Sequence, residues 1–268
     1  MPITDLSTLI AASKTGQELV WKKTATRVSI ANLPFSVFDL AGVPGAGTLN
    51  AGNTANGLVP TDATAGYPTI RNFAPSSNGY VGIARISNTV TCNIAVYDRL
   101  FVCGAYDFNS NVALTSQPSY ASRIPSSDYT GTELWCEAVA APTGNLAVNV
   151  GYTNENGTSG RSTGAQGIGA APTVGRCWQL NLQGTDQGVQ QINSVTCSVA
   201  SAGAACVNVM VLRKLFEATI QSVNQIVPFR VDDILLPQVY ENSALYALVS
   251  AVSTSTGNPS FFAKIVQG

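Results

Sequence analysis

The chain has 268 residues, and charged side chains make up only 11% of them, against roughly 25% in an ordinary soluble domain. There is no histidine, the formal net charge is −1 and no run of Lys or Arg occurs. This excludes imidazole-based nucleophile arrangements and metal sites, and leaves no field to draw in nucleic acid. The length suits one large β domain or two small ones, and 24 glycines with 13 prolines predict many turns.

The N-terminal residues carry no basic patch followed by an apolar run, so no secretory signal is expected. No stretch approaches the ~20 apolar residues that cross a bilayer as a helix, and no membrane partner is expected. The one convincing helix comes first: Thr4 or Asp5 can cap it, Leu6, Leu9 and Ile10 share a face, and Gly16 can end it. At about ten residues it is too short to stand alone and must dock.

From Val28 to Ile70 the chain reads as an arm. Between Arg27 and Arg71 the only charges are Asp39 and Asp62, and Gly42–Gly57 has neither a helical nor a strand period. Ordering such a glycine- and asparagine-rich ribbon costs much backbone entropy, so something must compensate. Two readings stand: contact with a neighbouring copy, or a surface loop lying on its own domain. Val43, Pro44, Leu49, Asn53, Leu58 and Tyr67 are the candidate inter-subunit contacts.

From Tyr80 onward, short strands alternate with Gly, Pro and Asn turns. Leu146, Val148, Val150 and Tyr152 fall on one face of a strand whose expected partner is Glu133–Val139, across Pro142–Asn145. Val195–Val199 and Val207–Val211 flank Ser201–Gly203, and Leu245–Val252 and Phe261–Val266 flank Ser253–Pro259. The predicted fold is all-β: an antiparallel β-sandwich, jelly-roll-like, with a short N-terminal helix and a long extended arm. Residues 1–79 are expected to form the helix and arm, and 80–268 the sandwich. An echo between Val90-Thr-Cys92 with Val96–Phe101 and Val195-Thr-Cys197 with Val211–Phe216 fits either a duplicated β unit or two strands of like composition.

The six cysteines include no CxxC pair, which argues against zinc knuckles and redox motifs and predicts buried thiols. A hairpin turn at Ser201-Ala202 would set Cys197 across from Cys206. Facing strand positions are ~4.5–5.5 Å apart at Cβ, wider than most disulfides, so adjacent thiols are expected there rather than a bond. Glu133, Trp135 and Glu137 share a strand face, but carboxylates four residues apart on a strand are about 13 Å apart at Cα, too far for retaining glycosidase chemistry. An exposed sheet face is the expected meaning. Asp232-Asp233 lacks the ligands of a cation cage and reads as a turn or cap. No catalytic residue, cofactor or metal is predicted, and no enzyme activity.

Several stretches together resemble one family: Gly45–Gly57, Tyr97-Asp-Arg-Leu-Phe101, Gln117-Pro-Ser-Tyr-Ala121, Gly131-Thr-Glu-Leu-Trp135 and Leu245-Tyr246. They are similar to virion structural proteins among the head and assembly products of tailed bacteriophages. The resemblance implies a β-rich particle component, a capsid cement, decoration or minor capsid protein, located in the virion and assembled in the host cytoplasm. Its partners would be other capsid proteins and copies of itself, commonly as trimers. A tail-tube or major capsid subunit is the alternative within the class, though the long spine helix of the major capsid fold is missing. From another class, a carbohydrate-binding or adhesin β module would need clustered exposed aromatics or a calcium cage, and neither is legible.

Overall fold

The computed structural model describes residues 3–75, 77–107, 110–141, 147–167, 173–197, 206–229 and 236–268. The chain is all-β and antiparallel, with one short helix near its start, and it divides into two compact units. Unit 1 comprises residues 1–47, 61–98 and 215–268, and unit 2 comprises 48–60 and 99–214. Residues 1–79 are therefore shared between the two units.

In chain order the elements are α1 (Leu6–Thr15), β1 (Gln17–Lys23), β2 (Pro34–Ser36), β3 (Gly42–Val43), β4 (Gly79–Ser87), β5 (Cys92–Tyr106) and β6 (Asn111–Ala113). There follow β7 (Thr132–Ala138), β8 (Ala147–Asn154), β9 (Arg161–Ser162), β10 (Gln166–Gly167), β11 (Cys177–Gln179) and β12 (Val189–Cys197). The last are β13 (Val207–Ile220), β14 (Val227–Phe229), β15 (Gln238–Val239), β16 (Leu245–Ala251) and β17 (Ser260–Gln267).

Asp5 caps α1: its carboxylate accepts from the Thr8 amide at 2.8 Å, and the Thr8 hydroxyl accepts from the Asp5 amide at 3.1 Å. No residue of the helix is buried. Unit 1 is a sandwich of two sheets. One runs β14-β4-β17-β1-β3, with β15 also on β4, and the other carries β16 between β5 and β2. In β1 the period-two pattern turns Leu19, Trp21 and Lys23 inward. Trp21 lies opposite Phe261 in register and the rings stack at 5.1 Å. Ile94, Val96, Leu245, Ala247 and Val249 supply the other wall of that core.

Unit 2 is a second sandwich. The sheet β10-β8-β12-β6, with β9 on β8, contributes Val148, Val150, Tyr152, Ile192 and Val195 to the core. Facing residues Leu134, Cys136, Val207, Val209 and Val211 come from β7 and β13. β8 shows the one-sided alternation that its sequence predicts, whereas β7 is buried almost throughout.

The strand pairings correct the expected hairpins. β7 pairs with β13 and β11, while β8 pairs with β12, β9 and β10, so Glu133–Val139 is not the partner of Leu146–Tyr152. β12 and β13 likewise belong to different sheets, as do β16 and β17. In each of these three cases the chain crosses from one sheet to another instead of folding back in plane. Turn residues mark where the chain reverses, not which sheet it enters next.

Candidate functional site

The arm is held by partners within its own chain. In unit 2 its residues run along the edge of β5. Leu58 and Val102 exchange backbone hydrogen bonds of 2.8 and 3.0 Å, and the Gly104 amide donates to the Asn53 carbonyl at 3.3 Å. This protects a strand edge that would otherwise offer unpaired groups. Gly57 has φ +70, and a Cβ there would stand 2.2 Å from the Phe101 ring, so a glycine is required at that approach. The Asn53 side chain closes a local turn, accepting from the amides of Ala55 and Asn56.

Two buried guanidinium groups fix the same segment. Arg123 donates to the carbonyls of Pro60 and Arg99. Arg99 pairs with Glu137 at 3.2 Å, both side chains being almost wholly enclosed. Asn208 bridges this pair to the arm, donating to Glu137 at 3.1 Å and to the Leu49 carbonyl. A buried carboxylate with two donors is satisfied where a lone one would be very costly.

This corrects the expectation of an exposed face at Glu133, Trp135 and Glu137. Glu137 has no exposed surface, Trp135 is buried, and the Trp135 indole donates to Glu133 at 2.7 Å. Arg99 and Asn208 both donate to the Glu137 carboxylate.

Within unit 1, Lys23 organises the start of the arm. The side chain is fully buried and its ammonium donates to the carbonyls of Phe38, Leu40, Pro44 and Gly45 at 2.9–3.4 Å. Burial pulls the ammonium down to about 8, partly offset by nearby Asp39. Tyr67 packs against Phe38 with ring centroids 4.6 Å apart. Leu49 and Tyr67 are thus buried, Leu58 is paired with β5, and Pro44 is tied to Lys23, while Val43 is 61% exposed.

Cys197 ends β12 and donates its amide to Ser110, whereas Cys206 donates to Tyr106 just ahead of β13. They are not ladder partners, because their strands lie in different sheets; the connection 198–205 is outside the described residues, as are Asp232 and Asp233. All six cysteines are buried thiols outside any disulfide. Burial pushes Cys103 and Cys197 up to about 12, and Cys206 adds to the rise at Cys197, so both remain protonated thiols at neutral pH. Among the described residues, no three His, Cys, Asp or Glu side chains converge as a metal site would require.

The surface of unit 1 has a different character. Among the described residues, all nine large apolar side chains that remain exposed belong to it. Leu6 and Ile10 form one stripe on α1, at 68% and 52% exposure. Val28, at 77%, and Ile30 flank buried Ser29 on a ribbon that bonds to Ala251–Ser255, beside exposed Val252. Val223 and Ile226 project from a turn fixed by the Asn224 amide on the Asn88 carbonyl. A groove of about 410 Å³, lined by Asn32, Thr91, Asn93, Thr219, Ser250 and Val252 among others, adjoins the ribbon and carries no ionisable side chain apart from the thiol of Cys92. The ribbon is the start of the expected arm, though Val28 and Ile30 are not among its six candidate contacts; their alternation around a serine is the available signal.

No family model and no curated protein matches the chain. Among solved structures, it is similar at 9% identity and TM-score 0.17 to a mutant VP2 protein of infectious bursal disease virus in derived T=1 particles, covering 94% of this chain and 76% of that one. The infectious bursal disease virus Gt strain structure follows at 9% identity and TM-score 0.14, covering 94% and 80% of the two chains. Neither is a tailed-phage protein, and scores at this level do not establish a shared fold.

Proposed function

We propose that the chain is a non-enzymatic structural subunit of a virus particle, and more narrowly a cementing or decorating component of a bacteriophage capsid. Its partners would be other capsid proteins and further copies of itself. The observation that carries this reading is the gathering of every exposed large apolar side chain, among the described residues, onto unit 1. Single exposed apolar residues are ordinary, but grouped ones mark contact surfaces. The Val28–Ile30 ribbon beside Val252 is such a group, and it fits broad contacts in which many weak copies act together by avidity. The low charge of the chain and its resemblance to virion proteins support the same reading.

The contact surface is assigned to α1, the Val28–Ile30 ribbon and the turn at Val223–Ile226, with Val43 as the arm's contribution. The experiment is sedimentation of the purified chain over a concentration series, with Val28→Asp/Ile30→Asp as comparison. The wild type is expected to form a closed oligomer, a trimer on the family resemblance, and the variant to stay monomeric with unchanged circular dichroism. Equal sedimentation of the two would contradict the assignment.

A further inference from the structure

Unit 2 carries a cleft that the particle-building role does not use. It measures about 460 Å³, within the ~300–1,000 Å³ of small-molecule sites, and its lining contains no Asp, Glu, Lys or Arg. The geometry points to a binding site for a neutral saccharide unit.

The site is built by a β-bulge. In the β12–β8 ladder Val189 faces Asn154 and Gln191 faces Thr153, so Gln190 is an extra residue. Successive side chains of a regular strand point to opposite faces, whereas a bulge re-aims them. Both Gln190 and Gln191 consequently line the cleft, opposite Thr153 and the turn that carries Gly157. That turn approaches closely: a Cβ on Gly157 would lie 3.5 Å from Oε1 of Gln190. Tyr120 anchors the far wall by donating its hydroxyl to the Val189 carbonyl at 2.7 Å, and Tyr129 packs edge-on against it at 6.0 Å.

The third amide supplies an independent sign of a ligand. Gln117 lines the same cleft, and its Nε2, shut off from solvent, has no hydrogen-bond partner. Buried donors are almost always satisfied, and an acceptor seated in the cleft beside Gln117 would satisfy this one. Amides and hydroxyls that both donate and accept suit adjacent sugar hydroxyls, while Tyr120 and Tyr129, both buried, hold the wall of the cleft rigid. The absence of charge in the lining disfavours acidic and phosphorylated sugars.

The test uses the whole chain and saturation-transfer NMR with methyl pyranosides of glucose, galactose, mannose and N-acetylglucosamine, N-acetylneuraminic acid as the anionic probe, and a neutral Gly/Asn peptide. Titration calorimetry then measures the best binder. A neutral pyranoside is expected to bind with Kd of about 1 mM, at least tenfold more weakly to Gln117→Ala and to Gln190→Ala/Gln191→Ala, with no transfer to N-acetylneuraminate. Gln191 is exposed, so Gln191→Ala alone provides a variant whose folding is not at stake. No transfer from any neutral sugar, binding unchanged in all three variants, or preference for the acid or the peptide would overturn the site. Each outcome is independent of whether the chain assembles into particles.

Discussion

The side-chain amide of Asn208, on β13, donates to the backbone carbonyl of Leu49, 159 residues earlier in the chain. That contact, with the Asn208–Glu137 bond, explains how a ribbon with little secondary structure of its own becomes ordered in unit 2. Asn208→Ala leaves a buried carbonyl without this donor and a buried carboxylate short of one. The expected loss is about 2 kcal/mol, or roughly 4–8 °C in melting temperature. Hydrogen exchange should quicken across residues 48–60 before the rest of unit 2. Unchanged exchange there would remove Asn208 as the anchor.

Lys23 yields a prediction with an unusual pH sign. Its folded value of about 8 lies below the ordinary 10.5, so between these values the unfolded chain binds more protons than the folded one. Stability from this group therefore rises as pH climbs from about 8 to 10. The stability difference between wild type and Lys23→Met, followed by denaturant unfolding, should widen in favour of wild type over that window. At pH 7 the variant should be weaker by about 2 kcal/mol, because four carbonyls lose their donor and only part of this is offset by relieved desolvation.

Asp186 gives the opposite case. Two bonds from Arg161 at 2.7 and 2.8 Å, with donors from Tyr152 and Asn154, hold its carboxyl down at about 2. Its contribution is complete above the ordinary carboxyl value near 4 and disappears as pH falls through about 2. Wild type should exceed Asp186→Asn in stability at pH 6, and the gap should close progressively between pH 4 and 2. A constant gap would show that the network does not titrate as described.

The thiols should be silent in the native state. All six are buried thiols outside any disulfide, and burial raises Cys103, Cys136, Cys197 and Cys206 above the usual thiol range. Ellman's reagent at pH 8 is expected to label none of the six until denaturant is added, then all six together. Fast labelling of Cys206 alone would show that the end of the 198–205 connection opens.

What was legible in the sequence was local. The period-two run is seen from Ala147 to Tyr152 in β8, with Leu146 outside the described residues; Asp5 and Gly16 bound α1, and the turn density predicted an all-β chain. What was not legible depended on distant partners. Glu137 reads as an outward residue because alternation cannot foresee that Arg99 and Asn208 meet it on that face of β7. Lys23 carries no mark of burial in the sequence because its acceptors are carbonyls, which have no side-chain signature. Gln190 and Gln191 read as an ordinary pair, since a bulge appears only once β8 supplies the register.

The central claim is that unit 1 carries a self-association surface, and concentration-dependent sedimentation of wild type beside Val28→Asp/Ile30→Asp tests it most directly. The account predicts a discrete oligomer for the wild type and a folded monomer for the variant. A wild-type chain that stays monomeric at its highest soluble concentration would contradict it.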